Sequence, residues 1–279
     1  MTSASQTHIG YVRDENQDRV GIRQYGENLL LIVCDGMGGE RSGSKASSMA
    51  TDVFFEHFEE SYTEDMDAYS IRSLLLSSVS AANSVVYTTA RMDYQNFGMG
   101  TTCVAAFVAP EYVAVANVGD SRAYFLTGGR MEQVTTDHTV VHMLMEKGEI
   151  TEEEMETHPQ RHMLMKAVGV ERTVCPDFFR IDLEKDQAFR LLLCSDGLTN
   201  AVPREDIEQL LGKGSFYDLP DRLVDTADEN GGPDNITALL LGVEGGDEVV
   251  LVPAGQGDEG VVVGEVLGGQ QLLVRAVTV

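Results

Sequence analysis

The sequence predicts a layered α+β protein: its helical segments come in pairs and stand apart from short strands that read as largely antiparallel. No alternation of strand and helix suggests βαβ units, and no fixed-period repeat suggests a solenoid. With 279 residues, 43% of them hydrophobic, the chain is long enough to bury one core without disulfide or metal staples.

The elements follow in order. Ala46, Met49, Ala50, Val53, Phe54 and Phe58 recur at helical spacing, as do Ile71, Leu74, Leu75, Ala81, Ala82, Val85 and Val86. Each helix therefore has one face to bury, and Ser70 is positioned to cap the second. Residues 20–23, 29–34, 102–108, 112–118, 123–126 and 191–194 are short, rich in Val, Leu and Phe, and bounded by turn residues, so they predict strands. Ala109-Pro110-Glu111 and Gly128-Gly129 each predict a hairpin, which makes the middle of the chain an antiparallel meander.

A polar, helical insertion follows, a flap over about residues 137–165. Val140, Val141, Leu144 and Met145 keep helical spacing, and Thr151 with Glu154 forms a capping box that opens a second short helix. Residues 203–211 and 220–229 predict two further helices, each with proline near its start and glycine past its end, and residues 236–243 return to strand. Residues 244–279, Gly- and Val-rich, are expected to form a small β appendage separate from a domain spanning 1–243.

Composition excludes several function classes. Acidic residues outnumber basic ones 45 to 20, for a formal charge of −25, which repels nucleic acid and anionic membrane surfaces. No apolar run reaches the ~18 residues of a membrane span, and the first residues carry no export signal. Cys34, Cys103, Cys175 and Cys194 form no CxxC pair and read as small hydrophobes, so a cytoplasmic location is expected.

One pattern carries the chemistry. Leu29-Leu30-Leu31-Ile32-Val33-Cys34 runs into Asp35-Gly36, and Leu191-Leu192-Leu193-Cys194-Ser195 runs into Asp196-Gly197, so in each case a buried strand delivers a carboxylate. The glycine that follows is expected to let a backbone carbonyl approach whatever the carboxylate binds. Asp120 ends a third such segment, while Asp18 and Asp234 follow turn-like contexts. Asp-Gly by itself marks an ordinary turn far more often than a site. Were these acids to converge, each pair would repel by ~4 kcal/mol at ~4 Å in an effective dielectric of ~20, which only cations make tolerable. Oxygen ligands without His or Cys favour Mg²⁺ or Mn²⁺ over zinc.

In combination these motifs resemble the PPM family, the type 2C metal-dependent protein phosphatases. The resemblance runs from about residue 9 to 243. It rests on Arg13-Asp14-Glu15-Asn16-Gln17-Asp18, Val33-Cys34-Asp35-Gly36-Met37-Gly38-Gly39, Gly100-Thr101-Thr102, Asn117-Val118-Gly119-Asp120-Ser121-Arg122, Cys194-Ser195-Asp196-Gly197-Leu198 and Gly232-Pro233-Asp234-Asn235-Ile236-Thr237, in family order. It implies a four-layer αββα sandwich and a protein serine/threonine phosphatase that hydrolyses phosphoserine and phosphothreonine with a metal-activated water.

By the same resemblance Asp18, Asp35, the Gly36 carbonyl, Asp196 and Asp234 would hold two Mn²⁺ or Mg²⁺ ions. Asp35 and Asp196 are then central to catalysis, and Arg13 would bind phosphate through its planar fork. Asp120 matches an acid used at a third, weaker metal position, although Asn200 stands where some relatives carry a further aspartate. Met37 stands where some relatives carry a histidine proposed as general acid, so the leaving group here relies on water, on another side chain, or on no acid at all. The spacing of His138, His142, His158 and His162 is not read as a metal site, since neither cysteine nor an HxH pair accompanies them; His162 is expected to touch substrate. The implied partners are phosphorylated proteins, substrates of a cognate serine/threonine kinase. Two rival readings share these residues: a catalytically silent relative that binds a phosphoprotein or kinase, and a partner-switching phosphatase acting on an anti-sigma antagonist.

Overall fold

A computed structural model describes residues 1–38 and 42–243. The appendage expected over 244–279 lies outside the described residues. Two antiparallel sheets face each other. One orders its strands β1 (Thr2–His8), β11 (Ile236–Val243), β10 (Phe189–Cys194), β7 (Arg122–Thr127) and β8 (Arg130–Gln133). The other runs β2 (Asp18–Tyr25), β3 (Asn28–Met37), β5 (Cys103–Val108), β6 (Tyr112–Val118) and β9 (Asp177–Asp182), with the short β4 (Gly100–Thr101) paired to the end of β3.

Alternation along the strands builds the layers, because successive side chains point to opposite faces. On β3, Leu29, Leu31 and Val33 face the other sheet and meet Phe125, Leu191, Leu193, Leu239 and Leu241 in the central core. Leu30, Ile32 and Cys34 face outward, beneath helices α1 (Ser42–Ser61) and α2 (Ala68–Met92), where Phe54, Phe58 and Leu75 cover them. Helices α6 (Arg204–Leu211) and α7 (Leu219–Glu229) cover the opposite sheet through Ile207, Leu211, Leu223 and Ala227. The result is the expected αββα sandwich. Among the described residues no helix is long and apolar enough to cross a membrane.

Several details differ from expectation. The middle of the chain is not one meander: the β5–β6 hairpin belongs to one sheet and the β7–β8 hairpin to the other, so the chain changes sheets between Val118 and Arg122. Asp67, not Ser70, caps α2. Its carboxylate accepts from the Ser70 amide at 2.7 Å, which places Ser70 within the first turn. Helix α5 (Asp196–Ala201) begins directly at the second Asp-Gly pair, where only a turn was expected.

Two short helices lie in the segment expected to be a flap. It carries α3 (Val140–Glu146) and α4 (Glu152–Thr157), the latter with the full Thr151–Glu154 capping box. Its two limbs zip together where the Val140 amide bonds the Met163 carbonyl at 2.9 Å and the Met165 amide bonds the His138 carbonyl at 2.8 Å. At its base Arg122 grips Asp137 with a two-pronged ion pair, closest at 2.7 Å. Cys34, Cys103 and Cys194 are buried as small hydrophobes, and Cys175 is exposed.

Candidate metal centre

The acids converge because strand register and strand ends aim them at one place. Asp18 and Asp35 are directly opposite each other across β2 and β3. Directly opposed residues put their Cβ atoms ~5 Å apart, and like charges there are destabilising. Strand β10 delivers Asp196 from the facing sheet, and the turn before β11 delivers Asp234.

Each acid has its own setting. Asp18 is only 2% exposed. Its Oδ2 accepts from Ser195 Oγ and Thr237 Oγ1, both at 2.7 Å, whereas its Oδ1 is buried without a partner. Because Thr237 Oγ1 gives its proton to Asp18, it accepts from Thr7 Oγ1 at 2.8 Å; Thr7 in turn accepts from Asn16 Nδ2 at 2.9 Å. Asn16 Oδ1 receives the Asp18 amide, closing the loop. The Gly100-Thr101-Thr102 motif fixes Asp35: its amide donates to Thr102 Oγ1 at 2.8 Å, and its carbonyl accepts from the Thr102 amide and from Thr101 Oγ1. Asp234 accepts from Arg13 Nη2 at 2.7 Å on one oxygen and from the Asn235 amide at 2.8 Å on the other. Asn235 then holds the opposite loop, accepting from the Gln17 amide and donating to the Ile9 and Glu15 carbonyls.

Electrostatics confirm the crowding. Burial and then the neighbouring charges of Asp196 and Asp234 push Asp18 up to about 7, against the opposing pull of its two hydroxyl donors. Burial, then the charges of Asp18, Asp196 and Asp120, hold Asp35 well above the usual carboxylate range. Asp196 is raised in the same direction, by burial first and by the charge of Asp234 next. Asp120 is pushed up to about 8, by burial first and by Asp196 and Asp137 next.

These observations bear on which group could sit here. Among the described residues no three acidic, imidazole or thiol groups form a ready-made cage. The donors are all oxygens, they repel one another, and the orphaned Asp18 Oδ1 has lost its water without gaining a partner, which costs ~1–3 kcal/mol or more. A hard divalent cation answers both deficits, so the residues fit Mg²⁺ or Mn²⁺.

The glycines are also required by packing. A Cβ on Gly36 would collide with the Gly43 and Gln17 carbonyls, and one on Gly197 with the Asn235 carbonyl. They permit backbone segments to pack against one another and thereby set the two aspartates. Asn200, one turn beyond Asp196, donates to Asp196 Oδ2 at 3.0 Å, so the asparagine supports that acid instead of supplying a charge of its own.

The flap histidines do separate jobs. His138 Nδ1 accepts from the Gly119 amide at 3.0 Å, so its proton sits on Nε2, facing Asp177 at 3.1 Å. His142 faces Glu146 at 3.6 Å, and His158 accepts from the Gln160 amide. His162 lines the cleft beside Met37. Sequence reasoning passed over Ser195, Thr237, Asn16, Asn235 and Thr102, all of which lie inside the motifs beside the acids; Thr7 gave no signal. The contact of His8 Nδ1 with Asp228, at 2.7 Å, was equally unannounced; it joins the end of β1 to α7, beside the Tyr11–Gly232 backbone bond that joins the loops carrying Arg13 and Asp234.

An αββα sandwich whose strand ends gather aspartates between the two sheets defines a class of metal-dependent hydrolases. The family model for protein phosphatase 2C matches residues 7–241, and the chain belongs to that family. It is 40% identical over 245 residues to the serine/threonine phosphatase stp of Listeria welshimeri, an alignment covering 86% of this chain and 95% of that protein. Among solved structures, serine/threonine phosphatase Stp1 from Staphylococcus aureus superposes with a TM-score of 0.81 at 39% identity, covering 87% of this chain and 95% of that one. The catalytic domain of the serine/threonine protein phosphatase PstP, solved with two manganese ions, superposes with a TM-score of 0.72 at 31% identity, covering 85% and 96%.

Proposed function

We propose that this chain is a metal-dependent protein serine/threonine phosphatase whose substrates are proteins phosphorylated by a serine/threonine kinase. The observation that supports this most is that Asp18, Asp35, Asp196 and Asp234, from four places in the chain, lie near enough for their charges to act on one another, with one Asp18 oxygen buried and unpartnered. Asp18 and the Gly36 carbonyl would hold one cation, Asp196 and Asp234 a second, and Asp35 would serve both. Cations bound there supply Lewis acidity to the phosphoryl group and bring the pKa of water toward neutrality.

The chain's own side chains do the rest. Without neutralisation, this ring of acids repels a phosphate dianion. Arg13 stands at the lip with its side chain 52% exposed and only Nη2 committed, to Asp234. The rest of its fork has no hydrogen-bond partner among the described residues, so it can bind phosphoryl oxygens while keeping Asp234 in place. Arg13→Ala should therefore lower kcat/KM for a phosphothreonine peptide ~10–100-fold, chiefly through KM, from the loss of a charge-assisted bond of ~1.5–3 kcal/mol. Steady-state kinetics at saturating Mn²⁺ check this, and an unchanged KM would remove Arg13 from phosphate binding.

Met37, close to Asp35, has no proton to donate. An aryl phosphate leaves without acid help, so p-nitrophenyl phosphate is expected to have the smaller chemical barrier of the two substrate types. Asp120 is proposed as the acid of a third, weaker cation position, and His162 as a substrate contact. The rival silent scaffold would not need all four acids and Arg13 together. The deciding assay is hydrolysis of p-nitrophenyl phosphate and of a phosphothreonine peptide with Mn²⁺, with Mg²⁺ and with EDTA. Activity should require a divalent metal; activity that survives chelation, or none with either metal, would refute the proposal.

A further inference from the structure

Beside the acidic ring an open cleft of about 570 Å³ runs between the end of β3 and the returning limb of the flap, lined among others by Met37, His162, Met163, Met165, Lys166 and Val170. Met163, Met165 and Val170 remain 50%, 49% and 48% exposed, three large apolar side chains around one concavity. Single exposed apolar residues are ordinary, whereas grouped ones mark binding surfaces. Met37 Cε and Val170 Cγ2 both lie 2.9 Å from where a Gly100 Cβ would stand, so the two side chains meet over that glycine and form an apolar floor.

The cleft's position relative to the acids indicates what would enter it. Met37 follows Asp35 by two residues on one strand, on the same face and about 7 Å along it. That distance is the span of two residues of extended peptide. His162, on the flap side, lines the same cleft as Met37. The groove therefore begins at Met37, two residues along β3 from Asp35, and leads outward beneath the flap. Its one lysine, Lys166, already bonds Asp177 at 3.2 Å and faces His138 Nε2 at 3.3 Å, so an acidic side chain would find little there. Thioethers, which adapt their shape, suit aliphatic side chains of varied outline.

We propose that this cleft is a specificity subsite for an aliphatic side chain, of the leucine or methionine kind, two residues from the phosphorylated serine or threonine of an extended substrate segment. This rests on the phosphatase reading and adds the class of sequence that the enzyme prefers.

The test uses the full chain with Mn²⁺ and paired phosphothreonine peptides that differ only in leucine or glutamine, placed two residues before or two residues after the phosphothreonine. In one of the two placements the leucine peptide should have a kcat/KM about tenfold higher, mainly through KM, as expected for one apolar side chain in an apolar pocket. Joint Met163→Gln and Met165→Gln substitution, and separately Val170→Ser, should bring that ratio close to one; being a ratio within each variant, it is insensitive to loss of folded protein. Hydrolysis of both wild-type peptides at equal rates, or a ratio unmoved by the substitutions, would overturn the subsite while leaving the phosphatase reading standing. Equal rates accompanied by a change in sedimentation of the methionine variants would assign the cleft to a second copy of the chain and overturn it equally. Hydrolysis of neither peptide would remove the phosphatase reading, and the subsite with it.

Discussion

Alanine at Asp35 or at Asp196 should lower phosphatase turnover ~10³-fold or more and leave the sandwich folded. Losing a single preorganised donor to a transition state costs ~10²–10³ in rate, and an acid needed to hold a cation should cost no less. Folding is expected to survive because neither side chain packs in a core: β3 is held by Leu29 to Cys34, and β10 by Leu191 to Cys194, on both faces. Each substitution also removes one member of a buried, mutually repelling set of acids. Turnover at saturating Mn²⁺ together with circular dichroism checks both halves. Activity within tenfold of wild type would show that the acids do not take part in the reaction, and unfolding of both variants would make them structural.

The second large effect is on stability in the presence of a chelator. An unfolded aspartate loses its proton near ~3.9. In the folded chain Asp18 keeps its proton up to about 7 and Asp120 up to about 8, with burial the main cause for each. Asp35 and Asp196 shift in the same direction. Above pH ~4 the folded state therefore holds protons that the unfolded state has released, and unfolding free energy falls as pH rises, levelling off only beyond these folded values. His138, whose pKa is lowered by burial, acts in the opposite sense as a single group that is complete once pH passes ~6.5. The net expectation in EDTA is a Tm at pH 8.5 at least ~5 °C below that at pH 5, since ~2 kcal/mol moves a domain of this size by that much. Mn²⁺ should restore more Tm at pH 8.5 than at pH 5, because it binds the ionised acids. Differential scanning fluorimetry with and without EDTA reads this directly; a Tm that rises with pH in EDTA would mean the acids are not crowded as described.

How much of this was legible in the sequence depended on how local the determinant was. Leu29 to Cys34 announced a strand buried on both faces, and the Asp35-Gly36 that follows announced its delivered carboxylate, because both signals lie within a few residues. Strand β1, Thr2–His8, did not: its side chains are mostly polar, and it exists through its seven-residue ladder with β11 at the far end of the chain. Strand β9 is a sheet edge for the same reason, supported by β6 alone. The two hairpins were readable, yet their assignment to different sheets was not, since a hairpin's local pattern is the same in either sheet. At the site, motif residues named the acids, whereas the cross-strand opposition of Asp18 and Asp35 is a matter of register. The Asn16–Thr7–Thr237 relay that leaves one oxygen of Asp18 satisfied and the other bare joins residues up to 230 positions apart. The cap of α2 fell on Asp67 because its carboxylate accepts the Ser70 amide, so the helix starts three residues earlier than a Ser70 cap would allow and Ser70 lies inside its first turn.

Counting manganese bound to the full chain, by titration calorimetry at pH 8 with Asp35→Ala alongside, tests the convergence of the acids most directly. Two ions per wild-type chain at high affinity, with loss of both from the variant because Asp35 serves each, is the expected result. Wild-type protein that takes up no manganese, or a variant that binds as many ions as tightly, would contradict it.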